Sequence, residues 1–258
     1  MLETTALALL TFTAAFINDA LGGGYGTITG SVLLLFAYPP QSFVPAILFS
    51  EAISEYWSGA WHVRYHNVNS RTFLLTTLGG IIGIVTAILL VGAFLSGDLA
   101  RLYIGLMAVL MGAFVIFKSH RQSALRARQN HATDLWKTVI LGFICGFNKS
   151  GSGGGYGPIS TTGYMLLGLP PAIAVGTTIL AKATNCLLSI ILWAALRGGI
   201  DWRLTIRMSV GAFLGAPIAA WLNNYLKVNI RPLHHERLIG FIMMLLGTFS
   251  LLKQFGLL

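Results

Sequence analysis

Apolar, helix-forming sequence is interrupted twice by one element, first at Asn18-Asp19-Ala20-Leu21-Gly22-Gly23-Gly24-Tyr25-Gly26 and again at Asn148-Lys149-Ser150-Gly151-Ser152-Gly153-Gly154-Gly155-Tyr156-Gly157. A glycine inside a helix costs about 1 kcal/mol relative to alanine. Runs of three, used twice, therefore point to backbone exposed for a purpose, and any architecture for the chain must place both breaks.

The sequence around the breaks is membrane material. The 258 residues are 55% hydrophobic and only 10% charged, with a mean hydropathy of +0.74, far from the mix of a soluble domain. Runs such as Phe73 to Leu95, Ile104 to Phe117, Ala172 to Ala195 and Leu238 to Leu252 match the helix lengths a bilayer requires. Strand-length alternation, the mark of a membrane barrel, is missing. The net charge of +9 sits in short connections, as expected of loops facing the cytoplasm, and this reading is preferred to a nucleic-acid groove. Cys145 and Cys186 both lie in apolar sequence, which argues against a disulfide framework or a metal cluster. Met1-Leu2-Glu3 lacks a basic leader, so no cleavable signal peptide is expected.

The chain reads as a tandem duplication. Gly22 to Gly24 reappear 131 positions later as Gly153 to Gly155, and the same offset carries Tyr25 to Tyr156, Gly26 to Gly157, and Pro39-Pro40 to Pro170-Pro171. An offset of 132 matches Arg71, Gly79, Gly83 and Ala87 with Arg203, Gly211, Gly215 and Ala219, and one of 135 matches Gly105, Gly112, Phe114 and Lys118 with Gly240, Gly247, Phe249 and Lys253. The expected division is a first transmembrane repeat over 1–118, a basic cytoplasmic linker over 119–137 and a second repeat over 138–258. In the first half, apolar pieces run from Thr4 to Ile17, Thr27 to Phe36, Ala46 to Trp61, Thr72 to Phe94 and Leu102 to Phe117. The first two are short, and form either a re-entrant hairpin or one helix broken in its middle. The expected fold is thus an all-α polytopic transmembrane protein of two homologous repeats. They are read as inverted, because neither short piece makes a full span alone.

A helix that starts after such glycines presents unpaired N–H groups and the positive end of its dipole, which suits an anion. Pro158 favours a helix start in the second copy, where the first has Thr27. Close helix packing is the simpler use of a single glycine run; two ungapped copies flanked by Asn18-Asp19 and by Asn148-Lys149-Ser150 favour a site. A nucleotide fingerprint is disfavoured, since no Gly-Lys-Ser/Thr triplet follows the glycines and nothing reads as a βαβ unit. The candidate substrate-binding residues are Asn18, Gly22, Gly23, Gly24, Tyr25, Gly26, Asn148, Lys149, Ser150, Ser152, Gly153, Gly154, Gly155, Tyr156, Gly157, Lys182 and Asn185.

Ionisable residues at membrane depth are costly and mark function or pairing. Glu51 and Lys182 occupy equivalent repeat positions, and Asp19 and Lys149 flank the two breaks. The exchange of charge suggests an Asp19–Lys149 or Glu51–Lys182 pair, or a division in which lysine binds an anion and Asp19 or Glu51 carries a proton. For each lysine, pairing and substrate binding stand level. Glu55, one turn after Glu51, is expected nearer the surface beside Trp57 and Trp61. Trp136, Trp202 and Trp221 read as interfacial anchors. The histidines, His234-His235 included, fall in or near polar connections, and neither a metal nor another cofactor is called for.

The sequence resembles the TauE/SafE family, the sulfite exporter and toluene sulfonate uptake permeases. The resemblance rests on both Gly-Gly-Gly-Tyr-Gly motifs, on Leu169-Pro170-Pro171 with Ala174-Val175-Gly176-Thr177, and on Asp201-Trp202-Arg203 opening a helix with Gly211 and Gly215. It covers essentially the whole chain. It implies a multi-pass permease of the bacterial inner membrane for small sulfur-containing anions such as sulfite, thiosulfate or organosulfonates like sulfoacetate, with the first repeat departing from the pattern at Thr27 and Asp19. The expected partners are that anion, the lipid bilayer, protons and a second copy of the chain as a homodimer, with no nucleic acid. A passive anion channel is the alternative; a membrane-embedded enzyme is disfavoured because no catalytic Ser-His or His-Asp constellation converges with the motifs.

Overall fold

The computed structural model describes residues 2–21, 23–94, 97–125, 134–197, 199–226 and 232–256. They form ten helices, five in each half: α1 (Leu2–Leu21), α2 (Tyr25–Leu35), α3 (Pro40–Arg64), α4 (Ser70–Phe94), α5 (Gly97–Leu125), α6 (Leu135–Ser152), α7 (Tyr156–Leu166), α8 (Pro171–Arg197), α9 (Trp202–Leu226) and α10 (Pro232–Gln254). No strand occurs among the described residues.

The short helices α2 and α7 have the same length and start and stop at repeat-equivalent positions. A positive-φ glycine stands at both breaks, Gly24 in the first copy and Gly153 and Gly155 in the second. The Gly153 N–H caps α6 on the Lys149 carbonyl at 2.8 Å, with Gly153 left-handed at φ 74° and Gly155 at φ 77°, a conformation that costs glycine little. At the far end of each, the chain passes through another positive-φ residue, Ala37 in the first copy and Gly168 in the second. There Tyr38 N–H bonds the Leu33 carbonyl and Leu169 N–H the Tyr164 carbonyl, each at 3.0 Å. Pro39-Pro40 and Pro170-Pro171 then open α3 and α8, where a missing N–H does no harm.

The sequence left open a hairpin or a broken helix; the packing is that of a hairpin. Val32, Leu33 and Phe36 near the end of α2 share a cavity of about 770 Å³ with Ala6, Leu7 and Leu10 near the start of α1. In the second copy, Leu141 near the start of α6 packs on Tyr164 and Leu169.

The halves are interleaved rather than side by side. α1 lies along α9 and α6 along α4. A β-carbon at Gly79 would overlap the Val139 carbonyl and one at Gly83 the Phe143 carbonyl; at the equivalent positions Gly211 abuts the Ala8 carbonyl and Gly215 the Phe12 carbonyl. The repeated glycines thus make one contact twice, across the halves in both cases. α4 and α6 run parallel, with Thr76 against Gly142 and Gly80 against Gly146, whereas α5 and α10 run antiparallel, with Gly105 against Leu251 and Gly112 against Gly240.

The exterior is oily, unlike that of a soluble protein, and the interior holds charged and polar groups beside an apolar core. Leu74, Ile82, Ile191, Ile206 and Leu214 are exposed, while carboxylates, lysines and hydroxyls are buried. Three stretches, Ser70–Leu90, Gly97–Phe117 and Pro171–Leu196, are by length and composition able to cross a bilayer. The chain is a helical membrane protein. Helices extend beyond the apolar runs: α5 continues past Lys118 to Leu125, and α6 begins at Leu135, capped by Asp134. Of the expected linker, residues 126–133 lie outside the described residues.

Candidate functional site

The two hairpin tips meet face to face. A β-carbon at Gly26 would strike the Gly153 carbonyl, and one at Gly154 would stand 2.8 Å from Thr27 Oγ1 and 3.0 Å from Thr27 N. The Thr27 hydroxyl accepts the Gly155 N–H at 3.1 Å. Thr27, where the second copy has Pro158, is therefore a bond between the tips. The sequence placed the helix starts after the whole motif; they fall on Tyr25 and Tyr156 within it. Gly22 lies outside the described residues. Gly23 packs against Pro158 of the opposite tip.

Beside this junction lies a cluster of buried charge. Lys149 donates to the Glu51 carboxylate and, at 2.6 Å, to the Gly153 carbonyl. Lys182 reaches the other Glu51 oxygen at 3.0 Å, pairs with Glu55, and donates to the Asn18 amide oxygen at 2.7 Å. The Asn18 amide N–H group in turn donates to Glu55 at 2.8 Å and to Asp19 at 2.9 Å. Asp19, Glu51, Glu55, Lys149 and Lys182 are each 2% exposed or less.

The pseudo-symmetry explains the wiring. Asn18 is the repeat equivalent of Lys149, and Glu51 of Lys182. The Lys149–Glu51 pair therefore has Asn18–Lys182 as its image, and each joins a hairpin of one half to the long helix of the other. Of the pairs suggested by the sequence, Glu51–Lys182 forms, and Lys149 goes to Glu51 rather than to Asp19. Glu55 is the correction: it is wholly buried in the cluster instead of near the surface. Two signals pointed that way, its spacing of one turn from Glu51 and its repeat equivalent, the buried Cys186.

The remaining candidates form a polar collar. The Tyr25 hydroxyl meets Ser50 Oγ at 2.7 Å, and Asn185 donates to the Tyr156 hydroxyl at 2.9 Å while its amide packs on Gly80. Asn148 accepts from the Tyr103 hydroxyl at 2.7 Å. Ser150 pairs with Ser189 at 2.6 Å, its carbonyl accepting from the Trp193 indole at 3.2 Å. Ser152 bonds back to the Asn148 carbonyl and accepts the Gly154 N–H. Asn148, Ser150 and Ser152 are thus satisfied locally and make none of the cluster's ion pairs.

Re-entrant hairpins meeting at buried ionisable groups inside an oily shell are the architecture of a membrane transporter. The family comparison agrees with it: the chain belongs to the family described as Sulfite exporter TauE/SafE, whose model matches residues 7–250. It is 30% identical over 235 residues to a protein of Bacillus subtilis (strain 168) described as probable membrane transporter protein YtnM, covering 86% of this chain and 75% of that one. No solved structure matches the chain.

Proposed function

We propose that the protein is a secondary transporter of the bacterial inner membrane for small sulfur-containing anions, of the sulfite, thiosulfate or sulfoacetate kind. The observation that carries this reading is the placement of two lysines, Lys149 and Lys182, in the buried interior beside the starts of α2 and α7. An oxyanion or sulfonate stays charged at neutral pH and accepts several hydrogen bonds, so ammonium groups, hydroxyls and helix N-termini suit it. Tyr25, Tyr156, Asn18 and Asn185 supply neighbouring polar atoms.

The repeats are read as inverted. With each hairpin returning to its side of entry, three long helices per half carry the chain across an odd number of times; the opposed directions of α5 and α10, themselves repeat partners, support this. Placing the basic segment after α5 in the cytoplasm puts Arg64 and Arg71 on the same side. Transport then follows from rocking of interleaved halves, which breaks and remakes the Lys149–Glu51 and Asn18–Lys182 links, with Glu51 or Asp19 as proton carrier. The burial of the cluster favours such a gated carrier over an open channel.

Flux of sulfite, thiosulfate, sulfoacetate and sulfate into proteoliposomes, with and without a pH gradient, tests the reading. Saturable flux of at least one sulfur anion is expected. Transport of none of them would refute the substrate class. Lys149→Ala is expected to weaken anion binding severely, and unchanged affinity in the purified variant would remove Lys149 as a ligand. Glu51→Gln is expected to weaken the pH dependence of flux while binding persists, and an unchanged pH profile would remove Glu51 from the mechanism.

A further inference from the structure

Two ammonium groups and three carboxyls share the buried cluster. If all five were ionised, the site would hold a net negative charge away from water, a costly state at membrane depth. One resident proton restores neutrality. That leaves two carboxylates opposite two lysines, and Glu55 has room to take up a further proton: one of its oxygens takes both Lys182 and Asn18, while the other, Oε2, is buried without a hydrogen-bond partner among the described residues.

The groups that face Glu51 and Glu55 come from four helices. Lys149 on α6 and Lys182 on α8 attract them, Asp19 on α1 repels them, and Tyr25 on α2 and Cys186 on α8 are close enough to interact. The described ring contacts of α9 with α3 are apolar, Trp202 on Phe49 and Phe213 on Trp57. Both lysines are thus already saturated by carboxylates of their own chain, so an incoming anion must displace one. The displaced carboxylate cannot leave for water, being fixed on α3.

We propose that Glu51 and Glu55 are the resident counter-anions of Lys149 and Lys182, released by taking up protons, so that each negative charge of a bound anion brings one proton with it. The proton comes from water on the side of entry and forms an O–H bond on a glutamate; the lysines stay as ammonium and turn to the anion. On the far side the anion leaves, the O–H bond breaks, and the carboxylate returns to its lysine. This rests on the reading of the site as an anion carrier, and it adds the coupling ion, its stoichiometry and a role for Glu55.

The test is calorimetric titration of the purified full-length protein with methanesulfonate, a monoanion, and thiosulfate, a dianion, in buffers of different protonation enthalpy. Linkage gives the number of protons taken up: about one is expected with methanesulfonate and about two with thiosulfate. Where the count is one, methanesulfonate affinity should fall about tenfold per unit rise in pH. Glu51→Gln and Glu55→Gln, isosteric changes, should each lower the thiosulfate count by about one. Binding of either anion without proton uptake by the unaltered protein would overturn the coupling and leave the transporter reading standing. Binding of neither anion at any pH would overturn both. A proton count unchanged in both variants would overturn the assignment to these two glutamates.

Discussion

Replacing Lys149 with methionine takes one of two lysines from Glu51 without opening the site to water. The surviving Lys182–Glu51 contact, at 3.0 Å, carries a direct attraction on the order of 5 kcal/mol at an effective dielectric of about 20. Desolvation offsets much of any such attraction, but deleting one partner leaves the other buried charge less compensated, a cost of about 3–5 kcal/mol. Glu51→Gln alone should cost a similar amount, since it strips Lys149 of its carboxylate and leaves Lys182 with Glu55 and Asn18. In the double variant neither charge remains to be orphaned. It should therefore fall short of the summed losses by about 2 kcal/mol or more. Thermal unfolding in one detergent at one scan rate, followed by tryptophan fluorescence, reads this as single-variant shifts on the order of 10 °C. Strictly additive losses, or single variants that melt with the parent protein, would refute the claim that this ion pair joins the halves.

Three further outcomes follow from the packing. Gly26→Ala drives a β-carbon into the Gly153 carbonyl and should lower stability by about 1–3 kcal/mol along with anion flux, whereas Gly97→Ala, with nothing within 4 Å of the added atom, should melt with the parent; equal melting of both would refute the tip contact. Tyr156→Phe removes the acceptor of the Asn185 amide and should cost about 1 kcal/mol, read in the same melting assay. Asp134→Ala removes the cap of α6 on the surface and should leave flux unchanged. Its carboxyl is held below the usual range by hydrogen bonding to Lys137, so the stabilisation is in place at neutral pH and fades as acid protonates it. Melting temperatures of the two proteins should converge as pH falls.

Much of the scaffold is legible in the sequence because the duplication is recorded residue by residue. The offset of Gly22 to Gly153 predicts the equal lengths of α2 and α7, and the matched Gly79, Gly83, Gly211 and Gly215 mark the helix contacts that recur. Helix ends are less legible, since apolar runs stop at the first charged residue while α5 continues past Lys118. The buried charges were visible as a set but not their wiring. A repeat alignment says that Asn18 corresponds to Lys149 and Glu51 to Lys182; it does not say whether each hairpin binds its own long helix or the other's. That choice comes from the interleaving of α1 with α9 and α6 with α4, a long-range property that local pattern leaves undetermined. Glu55 was misplaced for a related reason: Trp57, which is exposed, sits two residues away on a different helix face.

The division of charge between the halves also sets an order of events. All three acids of the cluster, Asp19, Glu51 and Glu55, belong to the first half, and both bases, Lys149 and Lys182, to the second. A ribosome working from the N-terminus delivers the carboxyls well before any lysine exists to receive them, and before α9 exists for α1 to lie against. The young first half thus carries these acids with no basic partner at membrane depth. Until α8 arrives, its carboxyls must stay protonated or remain at the lipid–water boundary.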